Sequence, residues 1–186
     1  MAIPGEWRLR LARRYVRRGG VIAYPTEGVY GLGCDPLNEL AVLRLLALKQ
    51  RSWRQGLIVI GANLEQLWRF IGSDDPKLLE RLQASWPGPT SWIVPASAQT
   101  PTLLTGGRAT VALRVPAHAF ARALCQACGP LVSTSAIPHG RPPARCSLAV
   151  RHMFGGAIDH IFPGALGDRN SPSVLRDGRT DRVFRR

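Results

Sequence analysis

Three short stretches carry side chains suited to gripping a small, polar, charged ligand. The first is Pro25-Thr26-Glu27-Gly28-Val29-Tyr30-Gly31-Leu32-Gly33, which places a hydroxyl, a carboxylate and a phenol in a glycine-rich bend. Glycine there lets the backbone turn tightly and approach a ligand closely. The second is Leu131-Val132-Ser133-Thr134-Ser135, an apolar run that ends in three hydroxyls. Consecutive hydroxyls make poor core and good partners for an oxyanion or an ammonium group. The third is Lys49-Gln50-Arg51, two cations at the end of a helical pattern, where the helix dipole alone would favour them. Lys49 is one of only two lysines in a chain that otherwise uses arginine, so a compact ammonium has a use there. Arg114 adds a fourth feature. It lies opposite the apolar stripe Val111, Leu113 and Val115 of an alternating strand, and so either meets water or lines a cleft. No serine or cysteine is set beside a base, so nothing points to covalent catalysis. The glycine spacing fits neither a dinucleotide fingerprint nor a phosphate-binding P-loop.

The elements that must position these groups follow from periodicity. The spacing predicts a helix over 6–18 (Trp7, Leu11 and Tyr15 on one face, arginines between), stopped by Gly19-Gly20. A strand over 21–24 is expected to end at Pro25, which has no N–H to donate. Asp35-Pro36 reads as the start of a helix running to about Gln50. A strand at 57–60 precedes a helix opened by Asn63 and Gln66. Asp75-Pro76 opens another helix, and Trp86-Pro87-Gly88-Pro89 reads as a structural turn before strand 91–94. Strand 110–116, helix 117–128, strand 131–135, helix 147–154 and strand 158–162 complete the middle of the chain. Val183-Phe184 reads as a last edge strand. Residues 138–146, rich in proline, glycine and arginine, read either as a lid whose Arg141 and Arg145 meet phosphates or as a plain surface loop. No linker or repeat interrupts the pattern, so residues 1–186 are expected to form one α/β domain.

Charge narrows the partners. The formal net charge is +13, and 23 of the 25 basic residues are arginine. Such an excess favours polyanions: nucleotide phosphates, RNA or a membrane surface. No run is long enough to span a bilayer, and the first residues hold no apolar signal core, so a cytoplasmic location is expected. Cys125-x-x-Cys128 lacks a second ligand pair at zinc spacing, and its thiols are expected to pack inertly on one helix face. The four histidines form no ligand pattern.

The bend motif resembles the Pro-Thr-Glu-x-x-Tyr/Phe-Gly-Leu-Gly signature of the YrdC-like threonylcarbamoyl-AMP synthases. Lys49-x-Arg51, Trp86-Pro87-Gly88-Pro89, Ser133-Thr134-Ser135-Ala136 and Pro172-Ser173-x-hydrophobic-x-Asp177 resemble further family motifs, in order, over about residues 19–184. Ile137 stands where the family carries asparagine, a departure that removes one side-chain contact expected at the nucleotide. The resemblance implies a twisted mixed parallel and antiparallel sheet flanked by helices around a basic concave cleft. It implies that L-threonine, bicarbonate and ATP are joined into L-threonylcarbamoyladenylate with release of pyrophosphate. That product serves downstream transfer proteins that modify the tRNA adenosine next to the anticodon. On this resemblance Lys49, Arg51, Thr110, Ser135 and Arg145 face ATP, and Thr26, Arg114, Ser133 and Ser173 face threonine. Mg2+ arrives with ATP, with no protein ligand assigned. Two other readings compete. Net charge and the arginine-rich first helix also fit a double-stranded RNA- or rRNA-binding ribosome-maturation factor without catalysis. Carbamoyl adenylation within a maturase would keep the fold, but the chain shows no acylphosphatase or zinc-finger segment.

Overall fold

A computed structural model describes residues 5–137, 142–168 and 173–185. Seven helices are seen among them: α1 (Glu6–Arg17), α2 (Glu39–Leu48), α3 (Leu64–Leu67), α4 (Pro76–Ser85), α5 (Thr102–Thr105), α6 (Ala119–Cys128) and α7 (Ser147–Phe154). The strands are β1 (Ile22–Pro25), β2 (Tyr30–Gly33), β3 (Ile58–Ile60), β4 (Thr90–Pro95), β5 (Thr110–Arg114), β6 (Leu131–Ser135), β7 (His160–Ile161), β8 (Val174–Asp177) and β9 (Val183–Arg185). All nine join one sheet in the order β7-β1-β2-β6-β3-β5-β4-β8-β9. Three of its pairings are parallel, β1 with β7, β3 with β5 and β4 with β8, and the rest are antiparallel. The expected mixed sheet flanked by helices is therefore the architecture.

Alternation along the strands builds two cores. Val21 and Ala23 enter one, together with Val59, Leu113 and Val132. Ile22 and Tyr24 enter the other, with Ile60, Leu131 and Phe162, beneath α1 and α6, which pack on each other. A period of two sends neighbours to opposite faces, so four residues of β1 and its approach supply both cores. Helices α1 and α6 cover only part of their face. The rest of that face, from β2 across to β8, stays open and becomes the pocket described below.

Several boundaries differ from the sequence expectation for local reasons. β1 runs through Pro25, which pairs in register with Tyr30. The missing proline N–H does no harm there, because the Tyr30 carbonyl opposite it accepts from the Ala136 N–H at 2.7 Å instead. The glycine-rich stretch is not one bend. Its second half is β2, a full antiparallel strand. Gly33 must be glycine there, since a Cβ would fall 2.6 Å from the Val132 carbonyl oxygen and 2.9 Å from the Tyr24 ring. α2 starts at Glu39, later than expected: Asn38 caps it through Ala41 N, while Asp35 spends its carboxylate on the Leu37 N–H. The helix expected through Phe70 is a single turn, α3, followed by a 3₁₀ turn. Asn63 accepts from Gln66 N, and Gln66 reaches back to Ala62 N, so the expected cap is present, shifted by one residue at its return bond. Cys125 is buried and Cys128 packs partly buried on the same cluster, on one face of α6 as expected. Residues 138–141, the first part of the expected lid with Arg141, and residues 169–172, which include the start of the closing motif, lie outside the described residues.

Candidate functional site

The open part of the sheet face forms a pocket of about 240 Å³. Seven of the nine residues singled out from the sequence line it: Thr26, Lys49, Arg51, Arg114, Ser133, Ser135 and Ser173. They come from five separate places, the β1–β2 turn, the end of α2, β5, β6 and the approach to β8, and only the sheet order brings them together. Thr110 and Arg145 do not line it. Thr110 starts β5 and pairs with Pro95, four residues and about 13 Å of strand from Arg114. Arg145 is exposed on the segment before α7.

The cations are held in different ways. Lys49 is only 8% exposed. Its ammonium donates to the Ser135 carbonyl and, at 3.0 Å, to the Ile137 carbonyl, so it ties the end of α2 to the exit of β6. Burial, reinforced by the neighbouring Arg51, brings it down to about 8. Arg51 donates to the Gly56 carbonyl at 3.0 Å, and its Nε has no hydrogen-bond partner among the described residues. Burial and then the charge of Arg185 lower Arg51, while partial burial and then Arg114 lower Arg185. Four cations thus feel one another around one pocket. Glu27 is the one carboxylate among the described lining residues. That imbalance suits a polyanionic ligand.

Arg114 is fixed on two sides. Its Nε donates to the Gly88 carbonyl at 2.9 Å, and its Nη2 is paired with Glu27. Glu27 also accepts the N–H groups of Ala117 (2.9 Å) and His118 (3.3 Å). The Trp86–Pro89 turn, read from the sequence as structural, thus anchors a residue of the wall through the Gly88 carbonyl. The hydroxyls are ordered too. Thr26 donates to the Val29 carbonyl at 2.7 Å, Ser133 accepts from the Tyr24 phenol at 3.0 Å, and Ser173 accepts from Ser91 at 2.9 Å. The floor between them is Gly31, where a Cβ would stand 3.2 Å from Thr26 Cγ2 and 3.5 Å from Ser133 Oγ. Tyr30 is different: its phenol donates to the carbonyl and accepts from the N–H of Gly164, both at 3.0 Å, which makes it a tether.

Sequence reasoning missed Arg185 and Ser91. Arg185 ends the edge strand β9, lines the pocket, and donates to the Ser173 carbonyl at 3.1 Å and hydroxyl at 3.3 Å. Its local sequence is that of any arginine at the end of a short strand; the β8–β9 pairing alone brings it beside Ser173. Ile137 lines the pocket, and its carbonyl serves Lys49.

An open, mixed α/β sheet whose strand ends converge on a cationic, hydroxyl-lined pocket is suited to an anionic ligand such as a phosphate. The Sua5/YciO/YrdC family model, described as "Telomere recombination", matches residues 14–186. This chain belongs to the Sua5/YciO/YrdC family. It is 52% identical over 182 residues to a protein of Stutzerimonas stutzeri (strain A1501) named threonylcarbamoyl-AMP synthase, covering 97% of this chain and 98% of that one. A Nitrosococcus oceani protein of the same name is 50% identical over 186 residues, the full length of both chains. Among solved structures, P. abyssi Sua5 complexed with L-threonine superposes with a TM-score of 0.89 at 34% identity over 95% of this chain. This chain spans 52% of that protein's length.

Proposed function

We propose that this protein is a threonylcarbamoyl-AMP synthase, joining L-threonine, bicarbonate and ATP into L-threonylcarbamoyladenylate and pyrophosphate. The observation that carries the reading is the convergence of Lys49, Arg51, Arg114 and Arg185 with the hydroxyls of Thr26, Ser133, Ser135 and Ser173 on one pocket. The relatives' names supply the substrate and product. The threonine amine adds to carbon dioxide or bicarbonate to give a carbamate, and a carbamate oxygen attacks the α-phosphate of ATP as pyrophosphate leaves. Both partners in that attack are anions, so fixed positive charge and orientation are what the protein must provide. In this reading Lys49 and Arg51 hold phosphates, and Arg185 joins them. Arg114 holds the threonine carboxylate, Thr26, Ser133 and Ser173 meet its polar groups, and Ser135 meets the nucleotide. Thr110 and Arg145 serve an ATP that extends past the pocket lining. Mg2+ enters as part of the ATP substrate, on its phosphate oxygens. Glu27, the pocket's carboxylate, is committed to Arg114 and two backbone N–H groups, which leaves it poorly suited as a metal ligand.

RNA remains a separate proposal for a partner. Arg13, Arg14, Arg17 and Arg18 are exposed on and just after α1, away from the pocket lining, and fit a phosphate backbone. Transfer of the product to a tRNA-modifying partner belongs to the same reading. No helix among the described residues is long and apolar enough to cross a membrane. The deciding assay follows pyrophosphate release from purified protein given ATP, L-threonine and bicarbonate. Release should stop when any one is omitted; release that ignores threonine would sink the proposal.

A further inference from the structure

Glu27 sits in the turn between β1 and β2, 8% exposed, in the wall of the pocket. One of its oxygens, Oε1, takes three donors: the Arg114 guanidinium and the N–H groups of Ala117 and His118. The other, Oε2, is buried and accepts no hydrogen bond among the described residues. An ionised oxygen withdrawn from water and left without a donor is unfavourable, so it points to a donor that arrives with a ligand. Beside it stands Arg114, held by the Gly88 carbonyl on one side and by Glu27 on the other. The wall therefore presents a cation and an anion next to each other, both fixed. An α-amino acid presents the same two charges in reverse, a carboxylate and an ammonium on one carbon.

We infer that Glu27 is the acceptor for the substrate's amino group, through Oε2, while Arg114 takes its carboxylate. This deepens the threonine reading above and rests on it. The pair orients the amino acid by both charges at once and so sets where its nitrogen points. A nitrogen that has become a carbamate still carries one N–H, so the same contact serves before and after carbon dioxide is added. The signature glutamate thereby acquires a role that neither an ordinary turn nor a plain arginine partner would need.

Titration calorimetry on the purified protein tests this with two ligands, L-threonine and (R)-3-hydroxybutanoate, which has the same skeleton without the amine. Wild type should hold L-threonine at least about tenfold more tightly, the worth of one charged hydrogen bond. In Glu27→Gln, which keeps one oxygen for Ala117 and His118 and turns the other into a donor, threonine affinity should fall until the two ligands bind within about threefold. A structural role alone would weaken both ligands together and leave their ratio unchanged, which overturns the inference. If Glu27→Gln does not fold, the wild-type ratio decides: no preference for the amine overturns the role of Glu27 while leaving threonine binding intact. Wild type that binds neither ligand overturns the threonine reading itself, and Glu27's role with it.

Discussion

One face of the sheet has two halves with the same backbone and opposite fates. Under α1 and α6 the inward residues are Ile22, Tyr24, Ile60, Leu131 and Phe162, all 4% exposed or less. Beyond the helices β6, β5 and β4 present Ser133, Ser135, Arg114 and Ser91 to a pocket. β6 crosses both halves: Leu131 is core, and two and four residues later Ser133 and Ser135 are lining. The period never changes; only the residue type does, at the point where helix cover ends. Tyr24 marks the border. Its ring is buried in the covered half, and its hydroxyl reaches across to Ser133. Burial pushes that phenol well above its ordinary range, which keeps it a neutral donor. The lesson is that a site can be made from a core face by withholding a helix and exchanging apolar side chains for hydroxyls and cations. One half then stabilises the fold and the other binds.

That division can be broken deliberately. The largest effect is expected in the covered half. Phe162→Ala should cost about 3–5 kcal/mol of stability, as a large side chain is deleted from a site against Phe120. Chemical denaturation measures the loss, and the specific activity of the folded fraction should stay near wild type. If activity per folded molecule collapses instead, the two halves are not separate.

Next comes Lys49→Ala in the open half, expected to lower the adenylation rate by about two to three orders of magnitude. Threonine-dependent pyrophosphate release reads this directly. The same lysine sharpens the comparison through pH. Its ammonium, brought down to about 8, loses its proton as pH rises through that value, so its hold on phosphate should fade above pH 8. Stability should move the other way. Between about 8 and its ordinary 10.5 the unfolded chain binds the extra proton, so this residue's contribution to stability rises with pH. Rate and melting temperature followed over that window should diverge, and Lys49→Met should flatten both trends. Parallel loss of rate and stability would refute the assignment.

The smallest effect is expected at Ile137. The family's asparagine is missing, yet the backbone there still accepts from Lys49. Ile137→Asn should therefore change the KM for ATP by less than about tenfold, one ordinary hydrogen bond at most. A larger gain would mean that the side chain, rather than the carbonyl, decides nucleotide binding at this position.

Much of this was legible in the chain. Alternation at 110–115 marked one strand, because a half-buried strand must repeat every two residues, and the short apolar runs at 57–60 and 131–132 marked two more. The hydroxyl run of β6 and the signature turn pointed to a polar site, because such residues are costly as core. Local chemistry was less legible where two caps competed, as at Asp35 and Asn38, or where a proline sat in a pairing position that needed no donor. What the sequence could not set was proximity. Arg185 reaches Ser173 only because β9 pairs with β8, and Lys49 meets two carbonyls 86 and 88 residues away only because α2 ends beside β6. By itself the sequence determined which segments are strands and helices and which side chains have no place in a core, since periodicity and polarity are local properties. The order of nine strands, the half of a face left without a helix, and the pairing of Glu27 with Arg114 were decided by the tertiary structure, because each depends on contacts whose partners are far apart in the chain.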